Sequence, residues 1–352
     1  MHTSPQSSGR AHYLLIAASL VVIITGVHFA HDFLVPLLIS IFLAVLGTPP
    51  VRWLKSRRVP MGVAVLIVIS VIIIIITALG TIAGASVSSL ASSWPVYQLR
   101  LQEHIVTLGT FLAGKGIIMP DDMLSLSMSS REMTGIATGF IGGIGSALSM
   151  LVVILLTVSF ILLEAGSFPN KIRAAVGNPK AKFPGFTTFV NEMQRFMLFQ
   201  TIYGLVTGII TVIWLWLFDV DFAVMLGLVT FILCYIPNVG SVIALVITMA
   251  VTFVQFGAGR TAIVALGYLI LTFILGSVIQ PRLMGKMLGL STLVIFLSVI
   301  FWGNLLGAIG MMLCVPLTMA LKFALVSNDR TRWIGVLLER EPTENPVMTP
   351  TA

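Results

Sequence analysis

The sequence contains few charged residues. Only 9% of its 352 residues are charged, whereas a typical soluble domain has about a quarter. Hydrophobic residues make up 57% of the chain, and its mean hydropathy is +1.06. Several apolar runs approach the roughly 20 residues that a bilayer-spanning helix needs. The composition therefore excludes a soluble globular protein and predicts an all-α polytopic membrane protein with about 6–8 transmembrane helices.

Cysteines and catalytic motifs are also scarce. The two cysteines, Cys234 and Cys314, lie inside apolar segments, so neither a disulfide framework nor a metal site is indicated. The sequence has no His-Glu-x-x-His, no Gly-x-Ser-x-Gly and no phosphate-binding Gly-x-x-x-x-Gly-Lys-Ser/Thr motif. We therefore expect neither an enzyme nor an ATP-driven pump, with no catalytic residues, no metal and no cofactor.

The basic residues are distributed unevenly between the polar segments. Of the 20 Lys and Arg residues, only Arg100, Lys115, Arg131 and Arg260 fall on one predicted side. Because cytoplasmic loops of membrane proteins are rich in Lys and Arg, the other side is predicted to be cytoplasmic, with both termini inside. We interpret the formal charge of +7 as a sign of orientation in a bacterial inner membrane. The predicted partner is thus the lipid bilayer, with no nucleic acid.

Apolar and polar blocks predict seven segments along the chain. These are a cytoplasmic N-terminus (1–12), N-terminal membrane helices (13–91), an extracytoplasmic amphipathic region (92–135), a membrane helix (136–165), a cytoplasmic amphipathic region (166–195), a C-terminal membrane transport core (196–325) and a flexible cytoplasmic tail (326–352).

The apolar block Phe222–Phe256 is interrupted at its centre by the residues PNVGS. Pro237 has no N–H, and Gly240 permits backbone conformations that a Cβ forbids. About fifteen apolar residues on either side would form helices about 22 Å long, shorter than a hydrocarbon core of about 30 Å. We predict a hairpin that either crosses the membrane twice or re-enters on the same side. Its break is either a wet transport site at depth or an ordinary turn at the surface.

A second interrupted block runs from about Leu290 to Leu325. The residues that interrupt it are Gly303, Asn304, Gly307, Gly310 and Pro316. Two broken apolar segments in one chain are typical of transporters that bind substrate between discontinuous helices. The fold prediction therefore includes two Gly/Pro-interrupted helical hairpins, re-entrant or broken.

Three segments resemble the autoinducer-2 exporter family of bacterial membrane proteins, of the quorum-signal transport type. They read IPNVGSVIA, IQPRLMGKMLGLSTLVIFLSVIFWG and LLGAIGMMLCVPLTMALK, and the resemblance extends from about Tyr13 to Leu325. It implies export of a small polar quorum-sensing signal, autoinducer-2. It also implies a pentameric homo-oligomer and an elevator-like movement within each protomer.

The family's motifs can be placed on this chain residue by residue. The first falls on Ile236, Pro237, Asn238 and Gly240, the second on Pro281, Met284, Gly285, Gly289 and Leu290, and the third on Gly307, Gly310, Met311 and Pro316. The chain departs from the pattern at Gln280, where many relatives have an acidic residue. If ion coupling required that carboxylate, it is absent here.

Polar side chains near the breaks are the candidates for a neutral, hydrogen-bonding substrate. The predicted substrate path comprises Pro237, Asn238, Gly240, Ser241, Gln280, Pro281 and Asn304. The expected hinge or packing residues are Gly285, Gly289, Gly303, Gly307, Gly310 and Pro316. For Gln200 we favour helix–helix hydrogen bonding over a role in transport.

Two charged residues are candidates for gating or coupling. Glu164 either couples transport or is an interfacial carboxylate that meets Arg173 or water, and Arg282 is either a gate or an anchor at the membrane surface. Asp219 and Asp221 form either a cation entry ring or a solvated turn with helix-capping side chains.

Two other functions remain open. A sodium (cation)/proton antiporter occurs within the same family, but intramembrane carboxylates are scarce in this chain. A membrane assembly protein without transport activity would tolerate changes at Pro237 and Asn238.

Overall fold

The computed structural model describes residues 18–19, 21–22, 24–114, 130–167, 171, 174, 185–280, 282, 289–328 and 331–339. All regular secondary structure in these ranges is helical, which confirms the predicted fold class. Within the same ranges, six helices are long and apolar enough to cross a membrane. Of the predicted site residues, Pro281 and Gly285 lie outside this described part.

The N-terminal half forms a bundle of three long helices. These are α1 (His31–Ser56), α2 (Met61–Ala113) and α3 (Ser130–Ala165). Their shared core contains Ala44, Ala64, Val65, Val158 and Leu162, all nearly inaccessible to solvent. We call these three helices the scaffold.

Two helices of the scaffold run further than the hydrophobic pattern predicts. Helix α1 continues through Pro49 and Pro50 to Ser56, beyond the apolar run that ends near Gly47. Helix α2 has 53 residues, which corresponds to about 80 Å. The predicted boundary at residues 91 and 92 therefore falls inside one continuous helix, and the first part of the expected amphipathic region is the far end of α2.

The C-terminal half packs around the scaffold through a second core. Its elements are α4 (Phe186–Leu217), α5 (Ala223–Leu233), α6 (Val239–Phe273), a π-helix (Ile274–Ile279), α7 (Thr292–Met312), α8 (Cys314–Val326) and α9 (Arg332–Leu337). Phe196, Met197, Ile236, Val299, Cys314 and Met319 form the largest cluster of this core. That cluster joins α4 to the two interrupted blocks.

The first interrupted block is a helical hairpin. Helix α5 ends at Leu233, and the chain reverses over residues 234–238 before α6 begins. Gly240 lies so close to α5 that a Cβ would overlap the carbonyl oxygen of Leu233. At the open end, the side chain of Gln255 hydrogen-bonds to the backbone of Asp219 and Asp221. We call residues 223–256 hairpin 1, residues 234–241 its tip and residues 219–222 with 255–257 its base.

Helix α6 changes direction after this hairpin, at Gly257. Gly257 has φ 74° and ψ −173°, which is not helical. Beyond it, the carbonyl of Val264 accepts a hydrogen bond from Trp214, and Gly276 lies beside the hydroxyl of Tyr203. The second half of α6 therefore runs antiparallel to α4, so the base of hairpin 1 is followed by a further reversal.

The second interrupted block also reverses, and its turning point is Gly307, with φ 64° and ψ −151°. A Cβ on Gly303 would lie 2.7 Å from the side chain of Met311, and one on Gly310 would overlap the carbonyl of Trp302. Gly303 and Gly310 are thus the close-packed positions on either side of the turn. Pro316 lies buried in the first turn of α8, where a missing N–H breaks no helical bond. We call residues 292–326 hairpin 2.

Part of the predicted flexible tail is helical and packed. Helix α9 lies against α8, and a Cβ on Gly335 would meet the side chain of Val326. Lys322 pairs with Glu339 and also donates to the carbonyl of Gly289, while the backbone N–H of Ser291 bonds to the carbonyl of Leu338. These contacts fix the start of hairpin 2 against the end of the chain.

Candidate transport site

The tip of hairpin 1 is a tight turn whose backbone groups are largely paired. The N–H of Gly240 bonds to the carbonyl of Ile236, and that of Val239 bonds to the carbonyl of Pro237. Ser241 donates its hydroxyl to the carbonyl of Asn238. The turn therefore supplies the partners of these backbone groups itself.

One partner comes from a neighbouring helix. The amide nitrogen of Gln200 on α4 donates to the carbonyl of Cys234, which in an unbroken helix would accept from the N–H of Asn238. Gln200 is only 4% exposed. Beside it, the hydroxyls of Thr201 and Tyr235 are 2.7 Å apart. This confirms the helix–helix interpretation of Gln200, which holds the tip against α4.

Asn238 is the exposed polar side chain of the tip. Its φ of 61° is a left-handed value that asparagine tolerates better than most residues. The side chain does not cap α6, and it makes no hydrogen bond to any residue of the described ranges. An amide that can both donate and accept is therefore presented at the turn.

The tip lies midway along two of the long helices. Gln200 is near the centre of α4, which runs from Phe186 to Leu217. The ring of Tyr235 packs edge-on against Phe42, with centroids 5.8 Å apart, and Phe42 is near the centre of α1. The base of hairpin 1 lies instead beside Leu215, near the end of α4, and Phe218, which follows this helix. The tip thus reaches half the depth of the helices around it.

A polar cavity of about 530 Å³ opens between α1 and the first half of α4. It is lined by Pro49, Thr188, Asn191, Glu192, Gln194, Arg195 and Leu198. Leu198 is two residues before Gln200, and side chains at this spacing point to different faces of a helix, so the cavity and the tip of hairpin 1 lie on different faces of α4. The lining combines amide, hydroxyl and charged groups, which suit a small polar solute. We call this cavity the vestibule.

Buried hydroxyls form a further group between α4, α5 and the second half of α6. The hydroxyls of Thr230 and Tyr268 are 3.3 Å apart, and both side chains are at most 3% exposed. Thr207 bonds to the carbonyl of Tyr203 within its own helix. Such threonine bonds to the preceding turn satisfy the hydroxyl at low cost, so this group packs helices together around hairpin 1.

The base of hairpin 1 is attached to the scaffold. Tyr97 on α2 donates its hydroxyl to the carboxylate of Asp221, and the ring of His104 packs against Phe253. Asp221 therefore accepts from α2 and does not cap α5, whose first turn lacks a side-chain cap. A solvated turn with capping aspartates is the wrong description of Asp221, because its carboxylate joins two helices.

The other predicted path residues lie elsewhere. Gln280 follows the π-helix and is half-buried. Asn304 is exposed on α7, one turn before Gly307. A Cβ on Gly307 would lie 3.9 Å from the side chain of His31, at the start of α1. Phe42, which contacts the tip of hairpin 1, is about three turns further along α1. Asn304 and Asn238 therefore lie at different depths.

The gating candidates Glu164 and Arg282 and the predicted hinge residue Gly289 lie at the surface. Glu164 forms an ion pair with Lys171, and both side chains are exposed. Arg173, the partner that the sequence suggested, lies outside the described residues. Arg282 is exposed. Gly289 has φ 50° and accepts a bond from Lys322. No cluster of three metal-binding side chains occurs in the described ranges.

Sequence reasoning missed three parts of this site. Asn191 and Gln194 of the vestibule fell in a segment assigned only as amphipathic, although polar residues at helical spacing could have indicated a wet face. Thr230 and Tyr268 are 38 residues apart, and no local pattern connects them. Gly257 resembled the many packing glycines of an apolar segment.

Comparison with known proteins identifies the family. Residues 17–327 match the model of the AI-2E family transporters. The chain is 33% identical over 338 residues to the putative transport protein YhhT of Escherichia coli K12, covering 96% of this chain and 97% of YhhT. It is 33% identical over 325 residues to the AI-2 transport protein TqsA of the same organism, covering 92% of this chain and 94% of TqsA.

A more distant relative is named as an antiporter. The sodium-lithium/proton antiporter of Halobacillus andaensis is 22% identical over 343 residues, covering 90% of this chain and 95% of the antiporter. The family match covers most of the chain, and its apolar helices agree with a multi-pass bacterial membrane protein. The chain belongs to the AI-2E family of membrane transporters.

Proposed function

We propose that this transporter is a secondary carrier that exports autoinducer-2, a small polar quorum-sensing signal, across the bacterial inner membrane. The observation that carries the proposal is the exposed amide of Asn238 at the tip of a hairpin, which makes no hydrogen bond within the described ranges. A neutral solute rich in hydroxyl groups needs donors and acceptors of this kind. The similarity to TqsA, whose name states AI-2 transport, gives the choice of cargo.

The proposed mechanism is a movement of hairpin 1 relative to the scaffold. Its base and tip are at different depths, with Asp219 and Gln255 together at one end and the tip midway along α4. We infer that hairpin 1 enters and leaves on the extracytoplasmic side, so that the vestibule opens to the cytoplasm and both termini are cytoplasmic. An elevator-like shift would carry the whole of hairpin 1, with solute bound at its tip, towards the extracytoplasmic side.

Efflux from proteoliposomes tests the proposal. Vesicles loaded with autoinducer-2 are prepared with the wild-type protein, with Asn238→Ala and with Asn304→Ala, each with and without a proton gradient. We expect wild-type efflux to exceed that of empty vesicles and to fall at least tenfold in Asn238→Ala. Asn304→Ala keeps efflux if the path ends at hairpin 1 and loses it if the path includes Asn304. Efflux equal to that of empty vesicles overturns export of this cargo.

The antiporter named among the relatives supplies the second candidate function. Cation exchange would require carboxylates at the site, and the tip of hairpin 1 and the vestibule together contain only Glu192. Sodium or lithium exchange for protons in the same vesicles would favour this function if autoinducer-2 efflux fails. A membrane assembly protein without transport activity would instead keep its function in Asn238→Ala and Pro237→Ala variants while neither cargo moves in these vesicles.

The oligomeric state is proposed from the family resemblance, which implies a pentamer. Many apolar side chains on the outer faces of the helices are exposed in the single protomer, including Phe160 and Trp216. Such faces contact lipid or neighbouring protomers. Native mass spectrometry of the detergent-solubilised protein is expected to give five copies, and a monomer would contradict the proposal.

A further inference from the structure

A second cavity, distinct from the vestibule, lies where the three scaffold helices end on one side. Its volume is about 240 Å³. Thr48, Arg52 and Lys55 line it from the last turns of α1, Met61 from the start of α2, and Leu162 and Ala165 from the end of α3. The spacing of 48, 52 and 55 places these α1 residues on one face.

The charge of this cavity is positive and unbalanced. Arg52 and Lys55 are exposed, and neither pairs with a carboxylate in the part of the chain that the structure describes. The nearest acidic residue along α3 is Glu164, which already pairs with Lys171. Two uncompensated cations on one cavity wall attract an anion.

The remaining wall is apolar and continuous with the membrane-facing surface. Leu162 and Val51 are buried beneath the cavity. Next to it along the same helices, Val63, Leu66 and Leu163 are 47%, 65% and 43% exposed. A ligand with a phosphate and a long apolar part would contact both surfaces, because the cations face the cavity and the leucines face the bilayer core.

We propose that this cavity binds the headgroup of an anionic phospholipid, from the leaflet that the basic segment 52–58 faces. Arg52 and Lys55 bind the phosphate, and the acyl chains lie along the exposed side chains of α2 and α3. Basic pockets between membrane helices are a recognised setting for anionic lipids. The bound lipid would join the ends of all three scaffold helices, and this binding is independent of the transported cargo.

Native mass spectrometry of the full-length protein tests the proposal. The purified protein is titrated with dioleoylphosphatidylglycerol, with dioleoylphosphatidylcholine as the zwitterionic control. The double variant Arg52→Gln/Lys55→Gln is compared with Arg57→Gln/Arg58→Gln, which removes the same charge from the same segment. Arg57 lies over the ring of Trp53, and neither control residue lines the cavity.

We expect phosphatidylglycerol to bind the wild type more tightly than phosphatidylcholine. Each cation contributes about fivefold to the affinity, so the cavity variant should lose about 25-fold and the control variant at most about twofold. A variant that keeps both cations but fills the space, Ala165→Trp, should also lose binding. It provides a second test if the double variant fails to fold.

Three results would overturn the proposal. Equal losses in the two double variants would indicate a general attraction to the basic segment. Equal binding of both lipids would indicate a site without selectivity for negative charge. Displacement of phosphatidylglycerol by millimolar inorganic phosphate would indicate a site for a free anion, with no contribution from the acyl chains.

Discussion

Hairpin 1 and hairpin 2 are built from similar parts, two apolar helices joined at a break, but different contacts hold them. Hairpin 1 is attached to other helices at both ends, through Gln200 at its tip and Tyr97 at its base. Hairpin 2 is joined mainly within itself, since Thr318 on α8 donates to Ser298 and accepts from Trp302, both on α7.

This difference assigns different roles to the two hairpins. Hydrogen bonds between side chains and a neighbouring helix can be exchanged for others when a helix moves. Helices that pack closely at glycines, in contrast, cannot separate without losing their van der Waals contacts. Helix α5 of hairpin 1 is packed in this close way against α4, since a Cβ on Gly227 would lie 2.2 Å from the side chain of Val212. Hairpin 1 is therefore suited to moving together with α4 relative to the scaffold. The two helices of hairpin 2 are suited to remain packed together as one rigid unit, whether or not the hairpin moves during transport.

The largest effect is expected from Gly310→Ala. The added Cβ would overlap the carbonyl of Trp302 and lie 2.8 Å from the Cβ of Leu306. Overpacking of this kind costs about 1–3 kcal/mol, so the thermal unfolding midpoint in detergent should fall by several degrees. The matched control is Gly80→Ala, which meets nothing within 4 Å. Equal midpoints for the two variants would contradict the close packing of hairpin 2.

The next effect is expected from Gln200→Leu, which removes the partner of the Cys234 carbonyl. A buried acceptor left unpaired costs about 1–3 kcal/mol, and autoinducer-2 efflux should fall because the tip loses its contact with α4. Thr157→Val is the control, since Thr157 is half-buried and donates its hydroxyl to Val153 within its own helix. Normal efflux and stability in Gln200→Leu would show that the tip is held by packing alone.

A smaller effect on efflux is expected from Thr318→Val, which keeps the side-chain shape. It removes the donor to Ser298 and the acceptor of Trp302, at about 0.5–1.5 kcal/mol for each hydrogen bond. Efflux should remain near the wild-type rate, because hairpin 2 still moves as a unit. Thr81→Val on the exposed face of α2 is the control. A loss of efflux without a loss of stability would indicate that hairpin 2, and not hairpin 1, is the moving element.

The smallest effect is expected from Glu164→Gln. The carboxylate and Lys171 are both exposed, and such surface pairs contribute little to stability. The unfolding midpoint should therefore stay unchanged, and efflux should stay unchanged as well if Glu164 is only an interfacial residue. An efflux rate that loses its dependence on the proton gradient would identify Glu164 as a coupling residue.

The sequence predicted the helical membrane class and both breaks, because composition and Gly/Pro placement act locally. Pro237 and Gly240 indicated the first reversal for the physical reason that the structure shows. Pro49 and Pro50 locally favour the end of a helix, but α1 continues through them. Tertiary packing on the scaffold outweighs the local tendency of proline to end a helix.

The candidate site was predictable only in part. Asn238 was identified from its place beside the break, and Asn304 was grouped with it because both are amides in interrupted blocks. Depth within the bundle separates them, and depth depends on which helices pack together. The contact between Gln200 and Cys234 spans 34 residues, so it follows from the fold and from no sequence pattern.

The most direct test of the central claim is the accessibility of the tip. In a protein with Cys234 and Cys314 replaced by alanine, Asn238→Cys is exposed to a membrane-impermeant maleimide from either side of sealed vesicles, with and without autoinducer-2. We predict labelling from the side of the basic segment 52–58 and protection by the signal. Labelling at the same rate with and without autoinducer-2, or no labelling from either side, would contradict a transport path at the tip of hairpin 1.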